Sequence, residues 1–115
     1  MGKMIYSITP MPAPRLTRNN LWTKLAVKYA NWKAEVRALG IQIPESGAHI
    51  IFYMPMPKSW SKKKKLSYDG KPHQQVPDID NIAKALLDGV YSSDAHIWDI
   101  RASKIWAKNG GIEIR

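Results

Sequence analysis

Cysteine is absent from the 115 residues, which excludes disulfides and thiolate metal sites and leaves carboxylates and histidines as the strong metal ligands on offer. Long apolar runs are missing too. No stretch approaches the roughly eighteen uninterrupted apolar residues a membrane span needs, and Met1-Gly2-Lys3-Met4 leads into a short strand-like run rather than a signal peptide's apolar segment. The expectation is a soluble, cytoplasmic protein. Without repeats or low-complexity tracts, residues 1–115 read as one domain with a core of modest size. Acidic residues are scarce, nine Asp and Glu against eighteen Lys and Arg, for a net charge of +9. Such an excess favours a polyanionic partner, nucleic acid first, because attraction to successive phosphates adds up.

The few acids are not scattered. Five of the nine (Asp78, Asp80, Asp88, Asp94, Asp99) lie between Asp78 and Asp99, where Lys84 is the only basic residue apart from histidine. A protein that holds phosphates by charge alone gains nothing from an acidic island; a cation-using nuclease needs one to hold its ion against the backbone.

Along the chain, Met4 to Thr9 reads as a short strand, followed by an extended loop because Pro10, Pro12 and Pro14 fix their own φ and restrict their predecessors. From Asn20 to Leu39, the residues Leu21, Leu25, Tyr29, Trp32, Val36 and Leu39 recur at three- and four-residue steps, one stripe of an amphipathic helix that Gly40 can end in the left-handed conformation. Ala48 to Met54 (AHIIFYM) is β-branched and aromatic, a strand expected near the sheet centre and buried on both faces. Residues 55–77 hold four prolines, Lys62 to Lys65 and Asp69-Gly70, and read as a long basic loop. Its lysines, with Trp60 and Tyr68 placed to stack on unpaired bases and Lys71 beyond them, form the expected DNA contact.

A second helix is predicted over Asp80 to Val90, with Ile82, Ala85, Leu86 and Val90 inward and Asp80 as N-cap. His96 to Trp106 reads as a strand with Trp98, Ile100 and Ala102 on one face; Asn109-Gly110-Gly111 turns into a last strand, Ile112 to Arg115. The order β-α-β-α-β-β predicts an α+β, two-layer domain: two helices against one face of a mixed sheet, closed by an antiparallel terminal hairpin. Trp32, Trp98 and Trp106 read as core or dimer-interface residues. His49 and His73 read as structural, with His96, close to Asp94, the better candidate ligand.

Pro77-Asp78-Ile79-Asp80-Asn81-Ile82-Ala83-Lys84 carries the chemistry. Two carboxylates one residue apart at a helix start can face one point and hold a hard cation such as Mg2+, which takes oxygen ligands and keeps several waters. Asp94, beyond the helix, can return as a third carboxylate. Lys84, one turn after Asp80, is placed to orient the attacking water or to neutralise charge on the phosphate. Plainer explanations also fit: Asp80 as a helix cap worth ~1 kcal/mol, Asp78 paired with Lys71, or Asp80 with Lys84 as an i,i+4 pair worth ~0.3 kcal/mol.

The run from Pro77 to Val90, with Ser93-Asp94-Ala95-His96-Ile97 after it, resembles the signature of RusA-type Holliday junction resolvases: a D-x-D-N, a lysine four residues after the second aspartate, a helix, and a later aspartate before a strand. Matched by position, the resemblance implies that Asp78, Asp80 and Asp94 are catalytic metal ligands and Lys84 the catalytic lysine. It further implies a homodimer that resolves four-way DNA junctions by symmetric cleavage in recombination and repair, with Mg2+ as cofactor and Mn2+ as a substitute. Two departures stand out. Some relatives carry paired aspartates where this chain has Ser93-Asp94, and arginines where it has His73-Gln74-Gln75-Val76. The competing readings are a non-catalytic basic module that binds branched DNA, and a metal nuclease acting on another DNA structure.

Overall fold

The computed structural model describes residues 4–15 and 23–115. Strand β1 (Met4–Tyr6) is followed by helix α1 (Lys24–Ala38), strand β2 (Ser46–Pro55), a short helix α2 (Lys62–Tyr68), helix α3 (Ile79–Val90), and strands β3 (Asp99–Ala107) and β4 (Gly111–Ile114). The α+β class and mixed sheet are as expected from the sequence, and α2 is added within the stretch read as a loop.

The four-stranded sheet runs β1-β4-β2-β3. β2 lies second from one edge, pairing with β3 in parallel and with β4 antiparallel, and β4 pairs antiparallel with β1. The expected terminal hairpin is therefore not formed, because β2 lies between its two strands. A tight hairpin would leave β2, with Ile50 and Phe52 fully buried, one neighbour short; inserted between β3 and β4 it has ladder partners on both sides. Two strand spacings come to ~10 Å, within the reach of a few extended residues at ~3.5 Å each. The link from Ala107 to Gly111 can thus pass the end of β2. Gly110 sits so close to Thr9 that a Cβ there would stand 2.5 Å from its Oγ1, so the crossing requires glycine.

Both long helices cover one sheet face. Tyr29, Trp32 and Val36 of α1 and Ile82, Ala85 and Leu86 of α3 pack with Ala48, Ile50, Phe52, Met54, Ile112 and Ile114. Fully burying a side chain of this size stabilises the fold by roughly 1.5–3 kcal/mol, so this layer holds α3 firmly. Thr23 caps α1, its side chain accepting from the Ala26 N–H, and Gly40 follows at φ +66 as its predicted terminator. The inward stripe begins at Ala26 instead of Leu25, which is exposed, as is Leu39; Asn20 and Leu21 lie outside the described residues. Trp32 Nε1 donates to Thr9 O at 2.8 Å, and Tyr91 Oη donates to Ile43 O at 2.7 Å, tying the loops after β1 and before β2 to the helical layer. On the other face Glu113 is buried, accepting from Tyr53 Oη and pairing with Arg115. Trp98, expected to pack, precedes β3 and is 76% exposed; the strand begins one residue after it, so the inward alternation starts at Ile100.

Candidate active site

Helix α3 starts one residue earlier than its pattern suggests. Pro77 precedes Asp78, which occupies the N-cap position in extended conformation but makes no side-chain cap bond; its carbonyl accepts from Asn81 and Ile82 at 3.1 and 3.2 Å. Asp80 sits in the first turn, where the helix dipole favours a negative charge, and the expectation that it caps the helix is corrected. Both carboxylates are exposed, and among the described residues neither forms an ion pair: the pairs there are Lys84 with Asp88 and Arg115 with Glu113. The three structural explanations for this aspartate pair, a cap and bridges to Lys71 or Lys84, all fail to account for it.

Asp78 and Asp80 line one open cleft of about 530 Å3 with Ile79, His73, Gln74, Gln75, Val76 and Lys104. Lys104 Nζ donates to Gln75 O and Pro77 O, both at 2.7 Å. His73 is buried, its ring 4.3 Å from Trp106 by centroids and its backbone N–H donating to Lys104 O, while the ring Nδ1 is buried with no partner among the described residues. Burial, and then the charge of Lys104, hold this imidazole below the usual histidine range.

Asp94 is half-buried in the turn before β3, its carbonyl accepting from Ile97, and is not among the residues lining the cleft. Among the described residues of this single chain no three His, Asp or Glu side chains come together as a metal cage. Lys84 also faces elsewhere. With Asn81 it lines an adjacent hollow beside Ala13, Pro14 and Arg15, and it pairs with Asp88 at 3.5 Å. Asp88 in turn accepts from Tyr29 Oη at 3.4 Å, and burial together with that carboxylate pushes the Tyr29 phenol up to about 12. His49 bonds Ser103 on the sheet, and His96 is exposed against Tyr91.

The donor set fits a hard divalent cation in an open setting: two carboxylates that line one cleft and form no ion pair among the described residues, with room for water and substrate oxygens. It does not amount to a closed all-protein site.

Lys62, Lys63, Lys64 and Lys65 form most of α2, so the long loop expected there is corrected. Ser61 caps this helix, accepting from Lys64 N at 3.1 Å. Trp60 packs against Tyr68 and Trp106 at 5.0 and 4.9 Å, with Lys64 Nζ 4.3 Å above the Trp60 ring. The aromatic rings expected to be free for bases are thus packed on one another. Beyond α2, Gly70 N donates to Trp106 O and Trp106 N to Lys71 O, both at 2.9 Å, tying this stretch to the free edge of β3.

Sequence reasoning missed Lys104. A signal for Lys104 existed: it continues the inward stripe Ile100-Ala102 and precedes Trp106 in the same alternation, a place where a lysine needs a reason. His73, read from the sequence as structural, is buried against Trp106, a partner distant in sequence.

A mixed α+β fold with two carboxylates in an open cleft, neither in an ion pair among the described residues, on a chain of net charge +9 fits the class of proteins that act on a phosphodiester with the help of a cation. The family model described as Endodeoxyribonuclease RusA matches residues 6–115, and the chain belongs to that family. It is an endodeoxyribonuclease of the Holliday junction resolvase type, hydrolysing phosphodiester bonds of DNA, and its family depends on a divalent metal. No curated protein matches the chain. No described helix is long and apolar enough to cross a membrane.

Proposed function

We propose that residues 1–115 act as a single domain, in the cytoplasm, and resolve four-way DNA junctions as a homodimer with Mg2+ as the physiological ion and Mn2+ as a working substitute. The observation that supports the cation is the pair Asp78 and Asp80, which line one cleft and form no ion pair among the described residues. A divalent cation bound there supplies Lewis-acid charge against the scissile phosphate and a more acidic water. Asp78 and Asp80 would hold the ion, with Asp94 as the third carboxylate that the resemblance implies.

Lys84 serves the developing charge on the phosphate. Its pairing with Asp88 is no obstacle, since its side chain is 66% exposed and such surface pairs are worth only ~0–1 kcal/mol. Lys62, Lys63, Lys64 and Lys65 on α2, with Lys71, meet the backbone of the junction arms. Trp60 holds that helix on the sheet and becomes available to a base only if α2 shifts. Two-fold symmetry suits a substrate with equivalent strands, because paired sites then cut equivalent positions.

Cleavage of a four-way junction, a fork and a linear duplex, at one salt concentration with and without Mg2+, tests the reading. Paired symmetric nicks confined to the junction and dependent on Mg2+ are expected. Equal rates on all three substrates would remove junction selectivity, and undiminished cutting in excess chelator would remove the cation.

A further inference from the structure

Lys104 occupies a position where chemistry would ordinarily put an apolar side chain. It lies on β3 opposite fully buried Phe52, in a strand whose neighbouring inward residues are Ala102 and Trp106. A lysine here must carry its charge out of the core along the sheet's edge. It does so toward the one segment that precedes the aspartate pair: two of its three N–H hydrogens go to Gln75 O and Pro77 O at 2.7 Å. These are short, charge-assisted bonds. The second carbonyl belongs to the residue immediately before Asp78, and Asp78 O in turn accepts from Asn81 and Ile82 in the first turn of α3. A continuous set of bonds therefore joins the sheet to the backbone that presents both carboxylates.

We propose that Lys104 is the positioning residue of the acidic cleft: by fastening the Gln75–Pro77 backbone to β3 it fixes where Asp78 and Asp80 point, and so sets their affinity for a divalent cation. This rests on the reading that the aspartate pair holds the ion. Lys104 forms no ion pair with either carboxylate among the described residues, so it acts through the main chain and not by neutralising them.

That distinction fixes the sign of the test. If Lys104 were only a nearby positive charge, removing it would strengthen cation binding. A positioning role predicts the reverse, weaker binding by about 10- to 100-fold, the usual consequence of losing a group that orients metal ligands. Mn2+ titration calorimetry on the full-length protein would compare wild type, Lys104→Met, Lys104→Arg and Asp80→Asn, alongside amide hydrogen exchange of the metal-free forms. Lys104→Met is expected to weaken Mn2+ binding and to speed exchange at Asn81 and Ile82 while leaving Leu86 unchanged. Lys104→Arg, which keeps donors and charge, is expected to restore most of both. Should Lys104→Met not fold, Lys104→Gln, able to donate to one carbonyl, is expected to show a smaller loss of the same sign.

Mn2+ binding as tight as wild type or tighter in Lys104→Met, or weaker binding with unchanged exchange at Asn81 and Ile82, would overturn the proposal. Asp80→Asn separates the two levels. If it also leaves Mn2+ binding intact, the aspartate pair is not the cation site and both readings fall; if it abolishes binding while Lys104→Met does not, only the role of Lys104 falls.

Discussion

Two neighbouring stretches of opposite charge are held in opposite ways. The carboxylates of Asp78 and Asp80 stand at the start of a helix whose Ile82, Ala85 and Leu86 are buried, behind a backbone fastened to the sheet through Lys104. The lysines 62–65 stand on a seven-residue helix with no buried residue, kept in place by the Ser61 cap and by Trp60 and Tyr68 packed on Trp106. Four ammonium groups near the N-terminal end of a helix also oppose its dipole, each by a few tenths of a kcal/mol. Rigid placement suits groups that must hold a small ion within a fraction of an ångström. An exposed surface helix suits groups that follow a charged backbone, where a displaced ammonium still finds a phosphate.

The comparison predicts that changes in the first stretch remove chemistry and changes in the second remove affinity. The largest effect belongs to Asp80→Asn. Cleavage is expected to fall by on the order of a thousandfold, the equivalent of several kcal/mol of lost charge stabilisation. Junction binding without metal should hold or tighten, since a charge that repels phosphate is gone. Single-turnover cleavage and gel-shift titration on the same preparation measure both, and full activity in the variant would reject the site.

Replacing Lys62, Lys63, Lys64 and Lys65 by Gln comes next. The slope of log affinity against log salt should shrink by about 1 for each lysine that meets a phosphate, with cleavage at saturating junction little changed. An unchanged slope would exclude α2 from the DNA contact.

Ser61→Ala should cost α2 about 1 kcal/mol. Because that helix buries nothing, the loss is expected in amide exchange at Lys64 and Lys65 and hardly at all in the melting temperature.

The smallest effect is that of pH on the rim of the cleft. His73 is held below the usual histidine range by burial and then by Lys104, and His49 is lowered in the same direction by burial and then by Arg101 and Arg115. As pH falls through ~6.5, the unfolded chain's histidines take up protons that the folded ones decline. Stability therefore declines on the acid side of that value, and above it both states are neutral and contribute nothing. Thermal melts between about pH 7.5 and 5.5 should show the decline, reduced in His73→Gln; an equal decline in the variant would assign it elsewhere.

Much of this was legible in the residues themselves. The stripe on α1, the apolar run of β2 and the D-x-D before α3 are local patterns, and each led to the element it suggested. The position of β2 between β3 and β4 was not legible, because Asn109-Gly110-Gly111 reads as a turn whether the chain returns beside β3 or one strand further on. Nor was α2: four adjacent lysines argue against a helix until Trp60, Tyr68 and Trp106 are seen together. The aspartate pair was visible, but not that its backbone is fastened by a lysine 24 residues beyond Asp80. The expected convergence of Asp94 is not formed among the described residues, because the turn before β3 that carries it does not line the cleft.

The measurement that bears most directly on the central claim is a crystal structure of the protein grown with Mn2+, the ion located by its anomalous scattering. The account predicts an ion on the carboxylates of Asp78 and Asp80, with Asp94 joining from the same chain or from its dimer mate. An ion bound away from both Asp78 and Asp80 would contradict it.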